Sequence, residues 1–137
     1  MTLLLAACGL GKPALITRDG QLAPCNLPHC VSSLMPADSN RYIEPIRYAG
    51  TRDAARNALV RVIRAMEGAR IVTLTEDYVH VEFTSKIARF VDDLELVMLE
   101  GTRKAEVRSS SRVGVYDFDL NRERLEKIRA AFDALQP

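Results

Sequence analysis

Apolar residues recur along the second half of the chain with two different periods, and these periods predict its secondary structure. From Thr51 to Glu67 they fall three or four positions apart, which indicates a helix with one buried face. The same spacing after Asn121 predicts a second helix. The apolar positions are Ala55, Ala58, Leu59, Val62, Ile63 and Met66 in the first helix and Leu125, Ile128, Phe132 and Leu135 in the second.

Four runs of alternating apolar and polar residues lie between the two predicted helices and indicate strands. Turns at Glu76–Asp77, Lys86–Arg89 and Glu100–Arg103 would pair these strands in sequence order. An internal Pro45 limits any strand in residues 42–48 to a short one at an edge. The sequence therefore predicts an α+β fold: a four-stranded antiparallel meander, with room for a short fifth edge strand, and two helices packed on one face.

This register also predicts which side chains face solvent. The outward positions are Tyr78, His80, Glu82, Glu95, Val97, Leu99 and Arg108. Val97 and Leu99 are apolar, so this outer face of the sheet could support a homo-oligomer or be covered by the N-terminal segment. Besides a second copy of the chain, the predicted partners are an envelope protein and a small polar or anionic ligand.

One carboxylate falls on the inward face in the same register. Asp92 lies beside Phe83 and opposite Ser111, and a buried carboxylate without partners costs several kcal/mol. The first turn of the second helix points Asn121 and Arg124 inward, near the end of the fourth strand. We therefore predict a polar cluster, a candidate site for an anion or small polar ligand, made of Asp92, Ser109, Ser111, Arg112, Asp117, Asn121 and Arg124.

The predicted cluster has a structural and a functional interpretation. In the first, Arg112 and Arg124 neutralise the two aspartates; in the second, arginines, hydroxyls and a helix N-terminus bind phosphate or carboxylate. We predict a non-catalytic binding or structural module. The alternative is a hydrolase or transferase that uses the cluster on a small anionic substrate, but His80, which could act as a base, is predicted on the opposite face. No catalytic residue, metal or cofactor is assigned.

Composition narrows the class of protein. The chain has 137 residues and a formal charge of +1, from 19 basic and 18 acidic residues. It fits a single domain, and the interspersed charges give no field that would attract nucleic acid. No apolar run approaches the roughly 18 residues of a membrane span, so any membrane attachment would be through a lipid anchor.

The three cysteines bear on the compartment. Cys8, behind an apolar run, resembles the lipidation site of bacterial lipoproteins, so residues 1–24 are predicted to be a signal remnant and tether and residues 25–137 the domain. Cys25 and Cys30 would then form a disulfide. This predicts a lipid-anchored envelope protein if the true start lies upstream of Met1. Otherwise the protein is cytoplasmic, the apolar start is an ordinary frayed terminus, and the pair is free thiols or half of a metal site.

Three separated motifs resemble one family. They are Cys25 to Ser33, Arg89 to Glu95, and Arg108 to Gly114 continued by Asn121 to Arg124. Together they resemble the domain of unknown function family numbered 1499, over about Cys25 to Ala134. The resemblance implies a protein of the kind found in bacterial envelopes and in related photosynthetic lineages. It implies no particular activity, substrate or cofactor. Asp119 stands where that family usually has Gly, and His29 where it usually has Asn.

Overall fold

The computed structural model describes residues 20–26, 29–112 and 119–137. Cys8, Gly114 and Asp117 lie outside the described residues, so the predictions made for them stay predictions. Among the residues described, none of the helices has the length and apolar character needed to cross a membrane.

The described part of the chain forms an antiparallel sheet and two helices, which confirms the predicted α+β class. The elements are β1 (Cys30–Ser32), β2 (Ile46–Arg47), α1 (Arg52–Arg64), β3 (Ala69–Leu74), β4 (Tyr78–Thr84), β5 (Val91–Val97), β6 (Lys104–Ser111) and α2 (Leu120–Asp133). The predicted meander is β3 to β6, and the strand order is β1-β6-β5-β4-β3. β2 is the predicted short edge strand and also pairs with β6. β1 was not predicted and enlarges the sheet beyond the meander.

The predicted pairs are found in all three hairpins of the meander, although the register between β3 and β4 shifts between Ile71 and Thr73. Leu74 pairs with Val79, and Val81 pairs with Leu94. Leu96 then pairs with Val107. Because successive strand residues alternate between faces, this register lines up the apolar side chains on one side of the sheet.

The hydrophobic core lies between that side of the sheet and both helices. Leu59 and Ile63 of α1 and Leu125, Ile128 and Phe132 of α2 are completely buried in one cluster with the inward residues of the sheet. Burial of each such side chain stabilises the fold by roughly 1.5–3 kcal/mol. Both helices therefore exist because they pack here. Leu135, predicted to continue the apolar stripe of α2, lies beyond the end of the helix and is half exposed.

Helix α1 has a side-chain cap: the Thr51 hydroxyl accepts a hydrogen bond from the Ala54 amide at 3.2 Å. Helix α2 begins differently. Asp119 occupies its N-cap position in a left-handed conformation, with φ of 65°, and its side chain makes no capping hydrogen bond. Asp is among the few residues that tolerate this conformation, which is consistent with a position that glycine would also suit.

Two arginines of α2 hold the segment that leads into β2. Arg122 donates to the carbonyl oxygens of Tyr42 and Asn40, each at 2.8 Å. Arg129 donates to the carbonyl oxygen of Pro45 at 2.7 Å. Segment and helix are thereby fixed to each other, which orients the first turn of α2 over the sheet.

Candidate functional site

A polar cluster interrupts the apolar face of the sheet where β5 and β6 meet α2. Asp92 pairs with Ser111 across these strands, and Ser109 lies two residues earlier on β6, so all three side chains project to the core side. The first turn of α2 adds Asn121 and Arg124. We call Asp92, Ser109, Ser111, Asn121 and Arg124 the inner cluster.

Asn121 is the centre of the inner cluster. The Ser109 hydroxyl donates to Asn121 Oδ1 at 2.6 Å, and Asn121 Nδ2 donates to Ser111 Oγ at 2.9 Å. Arg124 donates from Nη1 to Asn121 Oδ1 at 3.0 Å and from Nη2 to Asp92 Oδ2 at 2.9 Å. The guanidinium also lies 4.6 Å from the centre of the Phe83 ring. The buried carboxylate therefore has the cationic partner that its position requires.

The disulfide is attached to this cluster. Cys25 and Cys30 are bonded, as predicted, with 5.5 Å between their Cα atoms. Between them in sequence, the His29 carbonyl oxygen accepts a hydrogen bond from Asn121 Nδ2 at 3.1 Å and another from the Ser111 amide at 3.2 Å. The cluster thus joins the disulfide loop, the sheet and α2.

Among the described residues, neither Ser109 nor Ser111 is hydrogen-bonded to a base. A serine needs a neighbouring base to remove its proton. Ser109 donates to Asn121 and Ser111 accepts from it, and an amide cannot take up a proton at neutral pH. Ser110, between them, faces the other side of the sheet, where it pairs with Asp93. The contacts are those of a satisfied polar junction.

Arg124 connects the inner cluster to a cavity. The cavity has a volume of about 240 Å³ and lies where the start of α2 meets the end of β4 and the residues after α1. It is lined by the apolar side chains of Phe83, Met66 and Leu120 together with Lys86, Glu67, Glu123, Arg124 and Lys127, and by Thr84 and Ser85. Among the described residues, the charged side chains of the lining comprise more bases than acids. The Arg124 side chain, mostly buried and held by Asp92 and Asn121, is a fixed cationic group in its wall.

A second polar cluster, which the sequence did not reveal, lies on the opposite side of the same sheet. His80 and Glu82 are two residues apart on β4, and Asp93 pairs directly with Glu82 from β5. Arg112 follows β6 and reaches over both strands, and Arg70 of β3 joins Glu82 from the rim. We call His80, Glu82, Asp93, Arg112 and Arg70 the outer cluster.

Asp93 and Arg112 form the core of the outer cluster. Arg112 donates from Nε to Asp93 Oδ2 at 2.7 Å and from Nη2 to Asp93 Oδ1 at 2.8 Å, which is a bidentate pair. Its Nη2 also donates to Glu82 Oε1 at 2.8 Å. His80 Nε2 lies 2.7 Å from Asp93 Oδ1, and Arg70 bonds the second Glu82 oxygen. Asp93 is only 1% exposed and His80 3%.

A buried ion pair continues this face toward the other end of the strands. Arg108 donates from Nη1 to Glu95 Oε2 at 2.9 Å, and the Tyr78 hydroxyl donates to Glu95 Oε1 at 3.0 Å. Glu95 is completely buried. Among the described residues, the Arg108 Nε atom is buried and has no hydrogen-bond partner. The pair is therefore well formed on the side of the carboxylate and incompletely satisfied on the side of the arginine.

The two groups of carboxylates on this face have opposite pKa shifts. Burial raises the pKa of Asp93, but the hydrogen bonds from Arg112 and His80 outweigh burial and hold it below its ordinary value. The pKa of Glu82 is lowered in the same way, because Arg112 and Arg70 outweigh its burial. Burial dominates at Glu95 and raises its pKa in spite of Arg108. Bonding to Asp93 raises the pKa of Arg112.

Two predictions about this site are wrong. Arg112 was placed with Asp92 but lies on the outer side, because it continues the alternation of Arg108 and Ser110 along β6 and its amide bonds the Val91 carbonyl oxygen at 3.2 Å. The outer face was predicted to be solvated, yet most of its members are buried: Tyr78, His80, Glu82, Glu95, Val97 and Arg108. Their polar groups pair with one another, and Leu22, from the predicted tether, packs on Tyr78 and Val97.

Leu99 is the outer-face residue that remains accessible, with 46% of its surface exposed. It lines an apolar groove of about 220 Å³ together with Leu22, Leu34 and Val97. A homo-oligomer through the outer face stays a prediction.

A comparison with protein families agrees with the motifs in the sequence. A family model described as Protein of unknown function (DUF1499) matches residues 21–132, which is most of the chain and includes both clusters. No curated protein matches the chain.

Proposed function

We propose that this chain, which belongs to the DUF1499 family, is a non-catalytic binding module that takes a small anionic ligand in the cavity beside Arg124. The observation that carries the proposal is the cationic and apolar lining of that cavity at the first turn of α2. Lys86, Arg124 and Lys127 supply positive charge, and Phe83 and Met66 supply an apolar floor. A carboxylate or phosphate group with a small apolar portion would satisfy both.

Charge and size narrow the ligand further. Glu67 and Glu123 also line the cavity, and Glu67 lies 3.7 Å from the Lys86 amine, so the excess positive charge is small. The Arg124 charge is shared with Asp92. Lys127 has no ion-pair partner among the described residues and is therefore the group most available to an anion. A monoanion fits this balance, and a volume below the roughly 300–1,000 Å³ of drug-sized pockets favours a small one.

The inner cluster gives this module its rigidity. Because Asp92 and Asn121 hold the Arg124 guanidinium at both of its terminal nitrogens, the cationic wall is in place before a ligand arrives. Pre-organised groups lose less entropy on binding than flexible ones. In this proposal, the polar cluster is the support of the binding site, and the cavity is the site.

Titration of the protein with benzoate and, separately, with inorganic phosphate, followed by amide chemical shifts, tests the proposal. We expect saturable shifts for benzoate around Phe83, Arg124 and Lys127, with a dissociation constant near 1 mM, which is about −4 kcal/mol. Phosphate, which lacks an apolar portion, should bind more weakly. Absence of saturable shifts at the cavity with either anion would reject the proposal.

Two matched variants make the titration specific. Lys127→Gln should weaken benzoate binding about 2- to 5-fold, as expected for an exposed charge. Arg61→Gln removes a similar exposed charge from α1, at a position that does not line the cavity, and should leave the affinity unchanged. Equal weakening in both variants would indicate attraction to the general charge of the protein and would contradict a site.

We also propose that the protein resides in the cell envelope. The Cys25–Cys30 disulfide supports this compartment, because such bonds persist in oxidising environments and are rare in the cytosol. The mass of the protein purified from its native host tests this directly. We expect a protein in which Cys8 is acylated and Cys25 and Cys30 are disulfide-bonded. A free Cys8 together with reduced Cys25 and Cys30 would reject the assignment.

A further inference from the structure

The outer cluster contains a set of metal-ligating groups in close proximity. His80, Glu82 and Asp93 each offer a ligand atom, and these atoms all lie within 4.8 Å of one another. An imidazole and two carboxylates are ligands that Zn²⁺ and other divalent transition metals accept. All three residues are buried, so a bound ion would be shielded from water.

The ligand groups are carried by a rigid part of the fold. β4 and β5 are interior strands of the sheet, each hydrogen-bonded on both sides. His80 and Glu82 share a face because they are two residues apart, and Asp93 is the cross-strand partner of Glu82. The spacing of the donors is therefore set by the sheet itself, which is the placement that a metal site requires.

A cation already occupies this position. The Arg112 guanidinium bridges Glu82 and Asp93, with N to O distances of 2.8 and 2.7 Å. Glu82 and Asp93 carry two negative charges, and Arg112 and Arg70 supply two positive ones. A divalent ion would bring the same charge in a single group. The carboxylates can therefore be neutralised in either of two ways, by the arginines or by a metal ion.

Arg112 is the cation that a metal ion would have to displace, because it bonds both Glu82 and Asp93. Its side chain is 26% exposed, against 1% for Asp93 and 10% for Glu82. Its backbone is held by the hydrogen bond to Val91, so only the side chain must rotate outward. Arg70 is already on the rim, with its side chain 68% exposed, and need not move far.

We propose that His80, Glu82 and Asp93 form a binding site for a divalent transition metal ion, with Arg112 as a competing internal cation that the ion displaces. This site lies on the opposite side of the sheet from the anion cavity and does not depend on it. The displaced Arg112 side chain moves toward solvent. Metal binding thus changes the charge and shape of the outer surface next to the end of β6.

Titration of the whole, disulfide-bonded protein with Co²⁺, followed by visible absorption, tests the proposal. We expect the wild-type protein to bind one equivalent of Co²⁺. Arg112→Met should bind at least about ten-fold more tightly, because a guanidinium bonded to charged groups no longer competes. Arg70→Met is the matched control: it removes a charge from Glu82 at the exposed rim, and its affinity should change by less than about three-fold.

The two histidines of the chain identify the site. His80→Gln should abolish the Co²⁺ spectrum, and His29→Gln should leave it unchanged. A folded Arg112→Met protein without a His80-dependent spectrum would overturn the proposal, as would a spectrum that depends on His29 instead. If Arg112→Met does not fold, the wild-type titration decides, and absence of saturable, His80-dependent Co²⁺ binding then rejects the site.

Discussion

Each side of the sheet buries an aspartate of β5, and the two sides neutralise that charge with different surroundings. Asp92 and Asp93 are neighbours on β5 that point in opposite directions, and each is bonded to an arginine. On the inner side, Arg124 comes from a helix, and the rest of the cluster is made of hydroxyls and one amide. On the outer side, Arg112 directly follows the adjacent strand β6, and carboxylates, guanidinium groups and an imidazole lie together.

The inner cluster is therefore a structural junction, whereas the outer cluster is rich in charged groups. The inner cluster joins the disulfide loop, the sheet and α2 through mostly neutral hydrogen bonds, so its members are fixed by packing. The outer cluster concentrates ionised groups whose charges are balanced by Arg112 and Arg70, which are partly exposed to solvent. We expect substitutions on the outer side to have the larger effects on stability wherever the remaining charge is buried.

The largest loss of stability is expected when the ion pair between Arg108 and Glu95 on the outer face is broken. Arg108→Met leaves Glu95 completely buried without its cationic partner, which should lower the free energy of unfolding by about 3–5 kcal/mol. Urea denaturation measures this loss. Replacing both residues, as Glu95→Leu with Arg108→Met, should recover most of it, because no charge then stays behind. A single variant as stable as the wild-type protein would show that the pair is accessible to water.

Arg124→Met tests the inner side in the same way. It removes the partner of Asp92 and the contact with Phe83, and we expect a loss of about 2–3 kcal/mol. The loss should be smaller than at Arg108, because the Asp92 side chain is 12% exposed and water can reach it. Lys127→Met, at an exposed position on the same helix, is the control and should change stability by less than about 0.5 kcal/mol.

The dependence of stability on pH should come mainly from the outer side. Because the pKa values of Asp93 and Glu82 are lower in the folded protein, their stabilisation is complete above the ordinary carboxylate range and is lost as the pH falls below about 4. Each proton bound only by the unfolded chain contributes a slope of about 1.4 kcal/mol per pH unit. Asp93→Asn should flatten this acid limb in chemical denaturation between pH 7 and pH 2.

Glu95 supplies a control of opposite sign on the same face. Its raised pKa means that the folded state holds the proton more tightly, so its contribution favours folding at low pH and is lost as the pH rises. Glu95→Gln should therefore make the acid limb steeper. A flatter limb in this variant would contradict the assigned direction.

The smallest effect is expected from neighbouring serines on β6. Ser109→Ala removes the hydrogen bond to Asn121 and should cost about 1 kcal/mol. Ser110→Ala, on the outer side of the same strand, is the matched control, and it leaves every bond of the inner cluster in place. Thermal unfolding of both variants measures the difference, and equal melting temperatures would remove the energetic distinction between the two serines.

Much of this architecture could be predicted because the alternation of side chains along a strand leaves little freedom. A shift of one residue would have turned Leu94 and Leu96 outward, so the register and the buried position of Asp92 followed from the sequence. The same reasoning applied to β6 would have placed Arg112 with Arg108 on the outer side. Its closeness in sequence to Ser111 does not determine the face on which its side chain lies.

The sequence allowed the N-terminal segment to cover the apolar part of the outer face, as Leu22 does, but it did not predict the burial of the charged residues there or the additional strand. Alternation distinguishes two faces and does not show whether the polar one is covered. The cover comes in part from Leu22, far away in the chain, and from salt bridges that let charged side chains pack together. β1 has only three residues and exists because β6 offers it an edge. Tertiary context of this kind leaves no local pattern.

The grip of Arg122 and Arg129 on the segment before β2 has a consequence for how that segment can vary. Both guanidinium groups hold main-chain oxygens, at Asn40, Tyr42 and Pro45, and every amino acid carries the same carbonyl group. These hydrogen bonds therefore do not depend on which side chains the three residues carry. A mutational scan should find Asn40, Tyr42 and Pro45 tolerant of substitution, and Arg122, Arg129 and the buried core residue Ile43 intolerant of it.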